Sequence, residues 1–138
     1  MNIKTFSKTL PYALGAGFLF FGAQKFGATN DVFEIIATRS GIDLFEPIIR
    51  RITGVAELIT AALFLAPSLT SRKLANVSAA GLLLGAIGFH LSPWLGVNVP
   101  GIGHGLFGTA VLLFILNLIS AASNFKRNTE TALIVLPA

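Results

Sequence analysis

The sequence predicts an all-α fold, a transmembrane four-helix bundle with a short amphipathic segment between its first and second helices. Three observations predict it. Of 138 residues, 54% are hydrophobic and only 12% charged, with a mean hydropathy of +0.78; a soluble domain carries roughly 25% charged residues. Four apolar stretches, residues 10–26, 48–65, 74–91 and 102–122, stand out along the chain. Each approaches the ~20 residues that a helix needs to cross hydrocarbon. Prolines, glycines and charges separate them, so the whole chain, 1–138, reads as one membrane-embedded domain.

The first span follows Lys4 and Lys8, a pattern shared with signal peptides. Its far end, Phe21-Gly22-Ala23, places a large side chain where cleavage needs a small one. A retained helix is the expectation. The second span opens after Pro47, where a missing N–H is harmless, and closes before Pro67. Ser71-Arg72-Lys73 reads as a tight turn before the third span. Ser92-Pro93-Trp94 through Val99-Pro100-Gly101 reads as a short uncharged link to the fourth. Residues 131–138 are apolar again but too few to cross.

Between the first two spans, Val32, Phe33, Ile35, Ile36, Leu44 and Phe45 alternate with charges at near-helical spacing. Asn30 or Thr29 would cap a short helix, with Asp31 and Glu34 in its favourable first turn. The segment is too short and too charged to span, which suits an interfacial lid. The alternative is a surface loop containing a little helix.

Lysine and arginine placement sets the orientation. Threading four spans puts Lys4, Lys8, Arg72, Lys73, Lys126 and Arg127 on one side. The other side holds Lys25, Arg39, Arg50 and Arg51, diluted by Asp31, Glu34, Asp43 and Glu46. Both termini are therefore expected in the cytoplasm, with the protein in a bacterial inner membrane. The net charge of +4 is then an anchoring charge. No basic run is interleaved with aromatics, so no nucleic-acid partner is expected. The absence of cysteine excludes disulfides, thiolate metal sites and a dithiol relay.

Membrane helices pack through small residues. Gly81, Gly85 and Gly88 lie at i, i+4 and i+7 on the third span, a smooth packing groove. Gly15 and Gly22 serve the first span, and Gly101, Gly103, Gly105 and Gly108 open the fourth.

The ionisable residues converge at one end of the threaded bundle. Gln24 and Lys25 end the first span, Arg50 and Arg51 start the second, His90 ends the third, and His104 lies where the fourth begins. Glu57 sits below them inside "RRITGVAELITAALFLAP". It follows Arg50 by seven residues, which is two helical turns and about 10 Å along the axis. Gly54 between them would leave space above the carboxylate. A bare carboxylate facing lipid costs at least ~2.5–3.5 kcal/mol, so Glu57 is expected to turn into the bundle, to pair, with a long arginine able to reach it directly or through water, or to stay protonated. That arrangement serves either a binding pocket or a structural clasp. Two histidines and a glutamate invite a metal, but no i, i+3 or i+4 pairing supports one, and no metal site is expected.

The first span ends Phe18-Leu19-Phe20-Phe21-Gly22-Ala23-Gln24-Lys25, and the second carries Arg51, Gly54 and Glu57 in an R-x-x-G-x-x-E pattern. With an amphipathic interlude between, these elements resemble the DoxX-like family of small four-helix membrane proteins. The resemblance implies a redox-linked membrane protein, with relatives tied to quinone handling and oxidative stress. It also implies a subunit of a quinone-linked oxidoreductase, with no intrinsic cofactor and a quinone as the ligand. Glu57 would then be the catalytic group, orienting an arginine or carrying a proton. Gln24, Lys25, Arg50, Arg51, His90 and His104 would bind the lipophilic ligand. Expected partners are the bilayer, a membrane or soluble redox protein, and a second copy of the chain. The alternative is a non-enzymatic membrane subunit or assembly factor for a larger complex.

Overall fold

The computed structural model describes residues 3–135, with side chains described over residues 6–124. Lys4, Lys126 and Arg127, counted above for orientation, have side chains outside the described residues. The elements are α1 (Ile3–Gln24), α2 (Asp31–Ser40), a 3-10 turn (Asp43–Phe45), α3 (Ile48–Leu65), α4 (Leu69–Leu91) and α5 (Gly105–Val135). The described residues are all-helical apart from turns and one isolated bridge, Val99 to Gly103.

The four long helices form a ring, α1 against α3, α3 against α4, α4 against α5, and α5 back against α1. Leu10, Leu14 and Phe18 of α1 meet Ala61 and Phe64 of α3 and Ala75, Ala79 and Leu83 of α4 in the main core. A second cluster closes one end. There Ile36 of α2 and Phe45 pack on Leu95 and Val99 of the α4–α5 link.

Sequence and structure agree on α3, whose bounds are the expected ones. Elsewhere the ends move. α1 begins well before Leu10 and runs through Pro11, which is buried. It stops at Gln24, where Lys25 and Phe26 donate tight turn bonds to Gly22 and Ala23 at 3.2 and 3.1 Å. Ser71-Arg72-Lys73 is no turn. Ser68 caps α4, accepting from the Ser71 N–H at 3.4 Å, so all three residues lie inside the start of the helix. The real turn is Ala66-Pro67-Ser68. Gly101 and Gly103, expected in the fourth span, adopt φ of 79° and 78° in the link before α5. That left-handed backbone suits glycine and postpones the helix.

The amphipathic interlude is a real helix. Asn30 Oδ1 accepts from the Phe33 N–H at 3.4 Å, and Gly41 at φ 71° ends it. Phe33 and Ile36 face inward. Arg39 Nη1 donates to the Trp94 and Leu95 carbonyls, both at 3.4 Å, holding α2 to the α4–α5 link.

The glycines divide differently from expectation. A methyl group placed on Gly81, Gly85 or Gly88 would meet nothing within 4 Å, so that face of α4 packs on no neighbour. The close crossing is α1 on α3, at Gly22 and Gly54. A methyl on Gly54 would lie 2.9 Å from Lys25 Cβ and 3.2 Å from the Gly22 carbonyl. Gly54 therefore leaves no space above Glu57, because the backbone of α1 fills it.

Two helices, α4 over Leu69–Leu91 and α5 over Gly105–Asn124, are long and apolar enough to cross a membrane. All four long helices expose large apolar side chains. These include Leu19 and Phe20 on α1, Ile52 and Ile59 on α3, Val77 and Leu91 on α4, and Leu112 and Ile115 on α5.

Candidate functional site

The helices line a partly open cavity of about 670 Å³. Phe18 and Phe21 of α1, Phe33 and Ile36 of α2, Leu82 and Phe89 of α4, and Leu106 and Leu113 of α5 give it a mainly apolar wall. α2 forms part of that wall because its apolar face turns inward. The volume falls within the ~300–1,000 Å³ of ordinary small-molecule sites, which combine apolar walls with a few placed polar groups.

Lys25 and Glu57 form an ion pair in this wall, which also holds Asp31. Lys25 Nζ lies 2.7 Å from Glu57 Oε2, with the side chains 13% and 12% exposed. The same ammonium donates to the Phe21 carbonyl at 3.3 Å and stands 6.0 Å from the centre of the Phe33 ring. The pairing follows from local geometry. α1 ends at Gln24, so Lys25 turns across the Gly22–Gly54 crossing, and Glu57 is one helical turn below Gly54 on α3.

The expected arginine–glutamate pair is not formed. Arg50 instead pairs with Glu46 at 2.7 Å, one turn back on its own segment. Its Nη1 donates to the Lys25 and Gly27 carbonyls at 2.8 and 2.9 Å, and its Nη2 to the Ala28 carbonyl at 3.4 Å. The physical reason is that the chain after α1 leaves carbonyls without helical partners. A planar guanidinium satisfies several at once. At 1% exposure Arg50 is a buried staple, outside the cavity lining.

Of the residues the sequence singled out, Gln24, Lys25, Glu57 and His90 line one cavity. Arg50, Arg51 and His104 do not. Arg51 and His104 are exposed. His90 is buried, with Nδ1 2.9 Å from the Gly96 carbonyl and its ring edge-on to Phe107 at 5.7 Å.

A second polar zone escaped the sequence reading. Arg72 Nη2 donates to Tyr12 Oη at 2.9 Å, and the guanidinium lies 5.1 Å from that ring's centre. Asn117 Nδ2 donates to the Asn76 carbonyl at 3.0 Å, and Thr60 and Ser78 hydroxyls meet at 2.6 Å. Ser120 and Asn124 are buried on the same side of α5 as Asn117. The i, i+3, i+7 spacing of Asn117, Ser120 and Asn124 on an apolar helix was a readable signal for a buried polar stripe.

No family model, curated protein or solved structure matches the chain.

Proposed function

We propose that this is an integral membrane protein of DoxX-like type, whose cavity binds a small lipophilic ring compound of the quinone class. In this reading α1, α3, α4 and α5 all cross a bacterial inner membrane, with both termini cytoplasmic. The apolar side chains on the outer faces of all four helices support it, since a bundle in water would cover or replace them. Lys8, Arg72 and Lys73 would lie on the cytoplasmic side, where the Arg72–Tyr12 contact ties α4 to α1.

The observation that carries the ligand reading is one ion pair set in a mainly apolar cavity wall, with Gln24, Asn30, Asp31 and His90 among its few other polar groups. An ammonium has three N–H groups. Those of Lys25 serve Glu57 and the Phe21 carbonyl, leaving one to donate to a ring oxygen. Glu57 holds the ammonium in place and is the proton-carrying group beside that contact. α2 would cover the cavity mouth, since Val32, Phe33 and Ile36 already line the cavity. Electrons would come from a membrane or soluble redox partner, with the protein supplying position and electrostatics.

Titration of purified protein with a short-chain ubiquinone tests this. Trp94 is the sole tryptophan and packs 6.4 Å from Phe89, a lining residue, so its fluorescence reports occupancy. Saturable quenching that Glu57→Gln weakens is the expected result. No saturable binding of any quinone analogue sinks the reading.

A second reading has a specific observation behind it. The Lys25–Glu57 pair adjoins the closest helix crossing, as a clasp of α1 to α3 would. A non-enzymatic subunit or assembly factor would then lose thermal stability with Glu57→Gln, bind no quinone, and co-purify with a partner.

A further inference from the structure

The cavity's polar groups are not distributed evenly, and their hydrogen-bonding sense differs between walls. On the α1 side, Lys25 offers a donor. Among the α4 and α5 residues that line the cavity, only His90 and Thr109 are polar. His90 Nδ1 lies 2.9 Å from the Gly96 carbonyl. A carbonyl oxygen only accepts, so Nδ1 carries the hydrogen. In the neutral ring Nε2 is then a bare acceptor, with no protein partner among the described residues. Thr109 Oγ1 donates its own hydrogen to the Gly105 carbonyl at 2.8 Å, one turn back on α5. Its remaining capacity is likewise to accept. The α4–α5 wall therefore only accepts, whereas the rest of the lining, with Lys25, Gln24, Asn30, Asp31, Thr53 and Glu57, offers both donors and acceptors.

We infer that the cavity selects the dihydroxy, quinol form of its ring ligand over the quinone, with a ligand hydroxyl donating to His90 Nε2 or Thr109 Oγ1 while another ring oxygen accepts from Lys25. This rests on the reading of the cavity as a ring-binding site and adds the redox state that it holds. A quinone carries carbonyl oxygens that only accept. One satisfies Lys25, but the other meets lone pairs at the α4–α5 wall, leaving acceptors without donors in a mainly apolar site. A quinol hydroxyl both accepts and donates, so it matches the two walls. Leaving a buried acceptor unmet is the costly case for a hydrogen bond.

The test compares decylubiquinol, kept reduced under anaerobic conditions, with decylubiquinone by equilibrium dialysis against the purified protein. The expected result is a quinol affinity about tenfold higher. His90→Phe should bring the two forms within about twofold of each other by weakening the quinol and sparing the quinone. Since His90 also holds the Gly96 turn, Thr109→Val provides a second variant that should narrow the preference without touching that turn. Equal binding of both forms by the native protein, or a preference that survives both substitutions, overturns the inference while leaving the quinone site standing. If neither form binds, the ring-binding reading falls with it.

Discussion

Lys25 and Glu57 meet at 2.7 Å across the crossing of α1 and α3, and the two residues depend on each other unequally. The ammonium has further partners in the Phe21 carbonyl and the Phe33 ring. The carboxylate has no other partner among the described residues. Removing the lysine therefore strands a charge, which costs about 3–5 kcal/mol for a buried pair. Lys25→Met should lower the unfolding midpoint in detergent by far more than Glu57→Gln, whose amide oxygen still accepts from Lys25. The double variant Lys25→Met with Glu57→Leu should recover much of the loss. With the single variant Glu57→Leu closing the cycle, additive effects would show that the pair is uncoupled.

Gly54 and Gly88 offer opposite outcomes from one substitution. At Gly54 a methyl would meet Lys25 Cβ at 2.9 Å and the Gly22 carbonyl at 3.2 Å, and backbone there has nowhere to move. Gly54→Ala should destabilise by about 1–3 kcal/mol, the range for overpacking. At Gly88 nothing lies within 4 Å. Gly88→Ala gains helix propensity, so it should be neutral or stabilise by up to about 1 kcal/mol. Thermal unfolding of the two single variants decides. Equal effects would mean that the α1–α3 crossing is looser than these distances require.

Much of this architecture was legible because hydrophobic runs and prolines are local signals. Pro47 and Pro67 bracket α3, and Asn30 with Asp31 and Glu34 announces α2. Pairing was less legible. Arg50 and Glu57 share a helical stripe, but a stripe says nothing of what the neighbouring helix delivers. Where α1 stopped decided the matter, because the carbonyls of Lys25, Gly27 and Ala28 claimed Arg50 and left Lys25 for Glu57. The glycine pattern on α4 failed for a similar reason. Spacing shows that a face is smooth, and only the neighbour's position shows whether anything lies on it. Gln24, Lys25 and His90 could be grouped because each falls at the same end of an apolar span, and Glu57 joins them as the lone carboxylate inside the second span.

Two adjacent arginines at the start of α3 should behave as different residues. Arg50 is 1% exposed and binds three carbonyls and Glu46. Arg50→Gln should release the segment after α1, adding a protease cut between residues 25 and 31 and costing about 3–5 kcal/mol. Arg51 is exposed, and Arg51→Gln should change stability by less than about 0.5 kcal/mol. Limited proteolysis with mass analysis reads the first effect directly. Similar digestion of both variants would remove the staple role assigned to Arg50.

Tyr12 holds Arg72 in two ways that substitution can separate. Its hydroxyl accepts from Nη2 at 2.9 Å, and its ring lies 5.1 Å from the guanidinium carbon. Tyr12→Phe removes the hydrogen bond and keeps the ring. A hydrogen bond to a charged group contributes about 1.5–3 kcal/mol, so the loss should approach that figure. Tyr12→Leu removes the ring as well, adding a cation–π loss of about 0.5–2 kcal/mol. The two variants should therefore melt in the order native, Phe, Leu. Repeating both in an Arg72→Leu background should abolish the Tyr–Phe difference, because the partner of the hydroxyl is gone. A Tyr–Phe difference that persists without Arg72 would assign the hydroxyl to some other contact at the end where α4 begins.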